Sequence, residues 1–340
     1  MIEQTKLEGI DLTGLRVFPG LVNAHDHLEF ALFPQLGNGS YPNAAAWARD
    51  IHHPDKPPVR EHVQVPKHLR LLWGGLRNLA AGVTTVSHHN PYDPCFDEGF
   101  PVRVVERYGW SHSFSFGGDV AACRAATPAG APFLIHLGEG TDEDSAEEIF
   151  RLRDLGALDE YTVLIHAAGL TDEGWKLVRE TGASVVWCPR SNYFTLGRTL
   201  PLPLPEVPLA LGTDSPLTTE GDLLDEIRVA RHLAHAADIR AMVTNDALRI
   251  LRLAPFAEDW IAAREFGDPP ELVVIAGRIH LISPRLFQQR ASLPRHEFFP
   301  LRAAGRPEVL VRWNIPRLIA ETQSYLGGLP LRVAGREVSA

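Results

Sequence analysis

Two histidines spaced two residues apart at the end of a short apolar run constrain this chain more than any other feature. The stretch reads Phe18-Pro19-Gly20-Leu21-Val22-Asn23-Ala24-His25-Asp26-His27-Leu28-Glu29. On a strand, side chains at i and i+2 share a face. His25 and His27 therefore aim together off the strand end, while Asp26 points away. Two imidazoles converging on one point make a metal-ligand pair. An isolated His-x-His beside a turn is just as readily an ordinary surface feature, so the weight lies in what the rest of the chain adds.

Downstream, the chain repeats one pattern: a short apolar run that ends in a chemically capable residue. Val83-Thr84-Thr85-Val86-Ser87 runs into His88 and His89, Pro132-Phe133-Leu134-Ile135 into His136, Thr162-Val163-Leu164-Ile165 into His166, and Pro208-Leu209-Ala210-Leu211 into Asp214. Ala183–Cys188 is another apolar run, and Val102–Val105 and Trp110–Phe114 are further strand candidates. Helical periodicity falls between them, over His68–Ala81, Asp119–Ala126, Asp144–Leu155, Asp172–Glu180, Asp222–Ala237 and Ile239–Leu251. Continuous apolar strands alternating with helices are what a parallel sheet buried on both faces requires. In a parallel barrel all strand C-termini open on one face, so the terminal histidines and aspartate meet there.

The flanks read differently. Residues 7–18 suggest a short strand pair. The tail, with Glu271–Gly277, Ile279–Ile282, Glu308–Trp313 and Leu331–Ala334 as strands and Ile315–Tyr325 as a helix, suggests a β-rich module. The expected organisation is a barrel over residues 19–267 and a small β-rich domain built from 1–18 and 268–340. Residues 30–66 are rich in Pro, Gly, Asn and His and read as a long excursion with one helical turn near Ala44–Asp50.

Composition excludes several classes. A net charge of -9 without a basic stripe argues against a general binder of nucleic acid or anionic membrane. The three widely spaced cysteines contain no Cys-x-x-Cys pair, which argues against a thiolate zinc site and suits a reducing cytoplasm. The first residues lack a signal-peptide pattern, and no apolar run approaches the roughly 18 residues of a membrane span.

In order along the chain, Pro19–His27, Gly82–Val86, His136-Leu137-Gly138-Glu139, Val163–His166, Cys188-Pro189-Arg190-Ser191-Asn192 and Leu211–Ser215 resemble the amidohydrolase superfamily, in its chlorohydrolase and cytosine- or guanine-deaminase-like branch. The resemblance covers about residues 18–275. It implies an α/β fold, a distorted and here shortened (β/α)8 barrel. It also implies a hydrolase acting on non-peptide C–N bonds, which deaminates an aminated nitrogen heterocycle by attack of a metal-bound hydroxide. His25, His27, His136 and Asp214 would be the metal ligands. Asp214 would also serve as a base toward the bound water, Glu139 as proton shuttle, and His166 as a ligand, a polarising group or a supporting group. A site of three nitrogens and one carboxylate suits zinc, with iron or manganese as alternatives. His89, Asn90 and Asn192 are the candidate substrate contacts, Ser215 a candidate partner for Asp214, and Trp187 a core residue.

The chain departs from the family pattern in two places. No lysine stands where a bridging carbamylated lysine would, which favours a single metal. The interval from His89 to His136 is shorter than the roughly 60 residues that two βα units need, so one strand or helix of the barrel is expected to be degenerate or missing. A barrel shortened in this way could leave its pocket wide open, complete it in a homodimer, or belong to a fragment or to a chain drifting away from activity. On the same site, opening of a cyclic amide ring or hydrolytic dehalogenation are the alternative reactions. A non-catalytic metal or small-ligand binder is the alternative from another class.

Overall fold

The computed structural model describes residues 10–97, 99–116, 118–290 and 292–340. The expected first strand, at Leu7–Leu12, lies partly outside these. Its described part, Ile10–Leu12, is not a strand. β1 (Arg16–Pro19) pairs instead with β10 (Trp260–Ala263), far along the chain.

Eight parallel strands follow β1. β2 (Leu21–Asp26), β3 (Val83–His88) and β4 (Arg103–Val104) form one sheet. β5 (Gly109–Ser111), β6 (Phe133–Leu137), β7 (Thr162–His166), β8 (Ser184–Trp187) and β9 (Leu209–Leu211) form the other. A parallel bridge between Asp26 and Asp214 joins the two sheets beyond the end of β9. β4 and β5 are not paired, so the strands do not close through ladder hydrogen bonds at that seam.

The short interval before His136 costs the fold helices rather than strands. β4 and β5 are only two and three residues long, and no helix lies between them. Apart from a 3-10 turn at Pro94–Phe96, the first helix described after β3 is α4 (Val120–Ala125), beyond β5. Upstream of β3 lie α1 (Ala44–Ile51), α2 (Val59–Gln64) and α3 (Lys67–Ala80). Residues 30–66 therefore hold two helices where one helical turn was expected. Downstream come α5 (Glu143–Asp154), α6 (Asp172–Thr181), α7 (Pro189–Leu196), α8 (Leu223–Ala230), α9 (Ala236–Met242) and α10 (Asn245–Ile250).

α8 ends seven residues before its expected terminus, and the helix expected over 239–251 is broken at Val243–Thr244. The break has a use: the Val243 carbonyl accepts the Val22 amide of β2 at 2.8 Å instead of a helix amide. α10 then packs Leu248, Ile250 and Leu251 against Val22, Ala24, Leu134, Val163, Ile165, Val186 and Ala210, the apolar interior of the parallel strands. A larger core fills the space between the strands and the surrounding helices.

The antiparallel sheet runs β1-β10-β11-β12-β14-β13-β16-β15. Its later strands are β11 (Leu272–Ile275), β12 (Arg278–Ile282), β13 (Phe299–Ala303), β14 (Val309–Val311), β15 (Arg332–Val333) and β16 (Arg336–Ser339). α11 (Pro284–Gln289) and α12 (Ile315–Gln323) complete the chain. Arg306 and Arg336 of this part reach Asp222 and Asp225 at the start of α8, which ties the sheet to the parallel strands.

β2 does not keep strict alternation. Val22 and Ala24 face the interior cluster, while Asn23 faces Asn78 of α3. Continued alternation would send His25 outward. The register with β3 slips between Asn23 and Asp26, and this bulge brings His25 and His27 inward and Asp26 out toward α3. Gly212, in the turn after β9, makes the closest approach to β2. A Cβ there would stand 2.8 Å from His25 Cβ and 2.9 Å from the His25 carbonyl oxygen. Gly212→Ala is expected to cost about 1–3 kcal/mol, the usual range for overpacking, and to displace His25. Urea unfolding beside metal content checks this; unchanged values in both would contradict it.

Candidate metal-dependent active site

The C-terminal ends of β2, β6, β7 and β9 deliver the donor groups. His25 Nε2 lies 3.2 Å from His136 Nε2 and 3.3 Å from Asp214 Oδ1. His27 Nε2 lies 3.5 Å from His136 Nε2 and 3.6 Å from Asp214 Oδ1. His166 Nε2 stands 4.0 Å from Asp214 Oδ2. One donor atom from each of His25, His136, His166 and Asp214 falls within 4.8 Å of the others. All five side chains are buried.

Each donor is held from behind. His136 Nδ1–H donates to the His112 carbonyl at 2.9 Å, which turns the Nε2 lone pair toward the site. His166 Nδ1–H donates to Asn192 Oδ1 at 2.7 Å, which does the same for its Nε2. Ser191 and Thr218 hydroxyls donate to Asp214 Oδ2 at 2.6 and 3.0 Å. His166 and Asp214 sit at φ of 71° and 54°, a region that non-glycine residues occupy at a cost.

The electrostatics favour neutral imidazoles around an ionised carboxylate. Burial pulls His25 below the usual histidine range and His27 and His136 well below it. Burial alone would raise the Asp214 carboxyl, but the hydrogen bond to His25 and the neighbouring His166 and His27 hold it well below the ordinary value. The donor set fits a divalent cation. Neutral nitrogen lone pairs converge at a buried point beside a carboxylate, and His166 Nε2 is buried without a partner.

Glu139 follows β6 and lines the same cavity, with its Oε1 3.6 Å from His166 Nε2. Burial raises its carboxyl to about 7. Glu148 of α5 accepts the Gly138 amide at 2.7 Å and so braces the turn that carries Glu139. The cavity encloses about 830 Å³, with His27, His112, His136, Glu139 and Asp214 on its lining. The remaining lining is largely apolar and comes mostly from the 28–36 turns, α1 and α2.

Three candidate substrate contacts lie elsewhere. His89 is fully buried behind the donors, and its Nε2–H donates to the Ser111 carbonyl at 3.2 Å. Asn90 bonds to Glu29, and its carbonyl accepts the Tyr108 hydroxyl. Asn192 orients His166 instead of lining the cavity. The neighbouring His88 faces Glu29, 3.6 Å away. Ser215 lines the cavity, whereas Ser191 and Thr218 are the side chains that hold Asp214. Trp187 is core, as expected. His112 was not among the expected site residues, although it too is a histidine at a strand end. Its carbonyl orients His136 and its ring stacks on it at 4.7 Å.

α7 carries both Ser191 and Asn192, and its N-cap, Cys188, makes no side-chain cap bond. Glu226 of α8 supplies one: its carboxyl Oε2 accepts the Arg190 amide at 3.1 Å, and its Oε1 lies 3.7 Å from the Arg190 guanidinium.

No family model matches the chain. It is 26% identical over 281 residues to a 5-methylthioadenosine/S-adenosylhomocysteine deaminase of Halobacterium salinarum. That match covers 66% of this chain and 64% of the deaminase, so it spans just under two thirds of the relative's length. The fold resembles that of an atrazine chlorohydrolase variant of Arthrobacter aurescens complexed with zinc and atraton. The TM-score is 0.69 at 14% identity, covering 92% of this chain and 89% of that one. It also resembles an adenosine deaminase of Xanthomonas campestris with bound zinc, at TM-score 0.64 and 17% identity, covering 92% and 85%. The chain is thus similar in sequence to deaminases and in fold to zinc-bound hydrolases, in keeping with the amidohydrolase resemblance of its motifs.

Burial raises the Glu226 carboxyl to about 8. The folded state thus retains a proton that the unfolded chain releases near 4.5. Stability from this group is present at low pH and is lost as pH climbs from about 4.5 through 8. Glu226→Gln cannot ionise, so its denaturation midpoint is expected to fall less steeply than the wild type's between pH 6 and 9. Parallel profiles would contradict a buried, proton-retaining Glu226.

Proposed function

We infer that this protein is a metal-dependent hydrolase that deaminates an aminated nitrogen heterocycle of nucleoside size, working in the cytoplasm on a distorted (β/α)8 barrel. The observation that carries the reading is Glu139: a carboxyl poised near neutrality, on the cavity wall, beside a buried His/Asp donor set. The names of the curated relative and of the adenosine deaminase agree with it. His25, His27, His136 and Asp214 would hold one divalent metal, zinc best suiting three nitrogens and a carboxylate. Such an ion supplies Lewis acidity that brings the pKa of water toward about 7.

The chain's own groups do the rest. Asp214 orients the attacking water and accepts its hydrogen bond. Glu139 takes up a proton from that water and delivers it to the ring nitrogen next to the carbon under attack. It then carries the second proton to the amino group, which leaves as ammonia while the ring carbon becomes a carbonyl. A carboxyl near 7 serves both as acid and as base at neutral pH. His166, fixed through Asn192, faces Glu139 across 3.6 Å and stabilises the charge that develops on the ring as the water adds.

Glu139→Gln is expected to keep its metal and lose about 10²–10⁴-fold in kcat, the usual worth of a positioned acid–base group. Ammonia release from aminated purines and pyrimidines is the assay. A metal-loaded wild type that releases no ammonia from any of them would sink the reading. A new carboxylate or a released halide would point to ring opening or dehalogenation instead. Elemental analysis should find about one equivalent of zinc in the wild type, and none after His25→Ala and His27→Ala together. Equal metal in both proteins would remove the assigned ligands.

A further inference from the structure

Below the donors, the interior of the parallel strands is largely apolar, but β3 lines it with polar groups. Val22, Leu134, Val163, Ile165 and Val186 face this interior from other strands. Thr85 is the register partner of Val22, whereas Val83 and Val86 join the core outside the strands. Thr85 therefore faces inward, and alternation puts Ser87 and His89 on the same face. The His89 ring agrees, lying 4.4 Å from the His136 ring and 5.0 Å from that of His25.

The three side chains are 2%, 1% and 0% exposed, and Thr85 Oγ1, Ser87 Oγ and His89 Nδ1 find no partner among the described residues. A buried polar group left without a hydrogen bond costs free energy, and ordered water commonly satisfies such groups. The spacing suits water. Side chains at i and i+2 of a strand stand about 6.6–7 Å apart, a gap that one or two water molecules bridge with hydrogen bonds of about 2.8 Å. The wall beside β3 is also where β4 and β5 are unpaired, so no ladder draws the strands together there.

This polar stripe joins two features. At its lower end, Thr85 lines a cavity of about 640 Å³ at the N-terminal mouth of the strands, whose lining includes the exposed Asn245 and Glu258. At its upper end it meets the donors. His89 Nε2–H donates to the Ser111 carbonyl, so its Nδ1 carries a lone pair. His25 turns Nε2 to the donor set, so its Nδ1 carries the proton, and that N–H also finds no partner among the described residues. A ligating imidazole ordinarily donates this proton to a carboxylate, a carbonyl or water. His136 and His166 donate theirs to the His112 carbonyl and Asn192. One water between His25 and His89 would accept from the first and donate to the second.

We propose that the inner face of β3 binds a file of water molecules running from the lower cavity past Thr85 and Ser87 to His89 and His25. The file orients the His25 ligand, and it brings water to the metal site from behind while a substrate fills the front cavity. The supply role rests on the hydrolytic reading above, in which each turnover consumes one water; the file itself does not.

The test compares the wild type, the double variant Thr85→Val with Ser87→Val, and Ser87→Thr. The two variants fill the interior equally, but only Ser87→Thr keeps both hydroxyls. Oxygen-17 relaxation dispersion of the solvent counts long-lived internal water, and chelator competition reads zinc affinity. The double variant is expected to lose about two internal waters and to bind zinc about 10-fold more weakly, whereas Ser87→Thr matches the wild type in both. Equal water counts in all three, or equal losses in both variants, would overturn the file. If the double variant does not fold, Thr85→Val alone decides, since it keeps the side-chain shape and should still lose a water. At saturating zinc, the double variant should lose about 10-fold in kcat with KM unchanged; an unchanged kcat would strike the supply role. Water and zinc results as expected, with no ammonia released from any heterocycle by the wild type, would uphold the file and its hold on His25 and remove the deaminase reading together with the supply role.

Discussion

The site depends on a main-chain seam between the first and last of the eight parallel strands. The amides of Thr213 and Asp214 both donate to the His25 carbonyl, at 2.9 and 3.2 Å, and the His27 amide donates back to the Asp214 carbonyl at 3.4 Å. His25 and His27 arrive from one side of this seam and Asp214 from the other. The backbones that carry His25, His27 and Asp214 are therefore fixed relative to one another by main-chain hydrogen bonds. Gly212 lets the strands approach, and the left-handed backbone of Asp214 is held where a relaxed residue would not sit.

Behind the seam lies a buried polar network that faces away from the cavity. Asp26 Oδ2 accepts from Arg77 at 2.5 Å, Asn78 at 2.7 Å and Asn23 at 3.2 Å, and Thr213 Oγ1 accepts from Asn23 and Arg77. A buried ion pair of this kind adds little net stability over an apolar equivalent, but losing one partner costs about 3–5 kcal/mol. Its geometric effect is plain: it anchors the residue between the two histidines to α3. With Asp26 fixed outward, His25 and His27 stay inward despite the bulge. Orientation of the two histidines and burial of this network are one constraint.

Much of this could be read before any coordinates. Strands closing on His136, His166 and Asp214 were legible because a doubly buried parallel strand is short, apolar and abruptly ended by a polar residue, a contrast that survives in one sequence. α1 was legible only as a helical turn near Ala44–Asp50, because it turns its apolar face to a cavity, and α2 was not, because it is a short piece in a Pro- and His-rich stretch. The partners of Asn192, His89 and Asn90 were also hidden. Sequence places them at strand ends but cannot say whether a side chain turns into the cavity or behind it. The bulge in β2 belongs with these, since alternation alone predicts the opposite face for His25.

The shortened middle of the chain matters less to the chemistry than to the shape of its surroundings. β4 and β5 are stubs without an intervening helix, yet all five converging donors come from β2, β6, β7 and β9 or the turns that follow them. What the short segment supplies is backbone: the His112 carbonyl that orients His136, and the Ser111 carbonyl that locks His89 in place. A peptide oxygen asks only for the right chain path, so two- and three-residue strands suffice there. The wall that longer loops from this region would have built is instead supplied by α1 and α2, inserted between β2 and β3. The loss of helices on one side and the insertion on the other leave the donor set intact and make the cavity wall over Glu139 largely apolar.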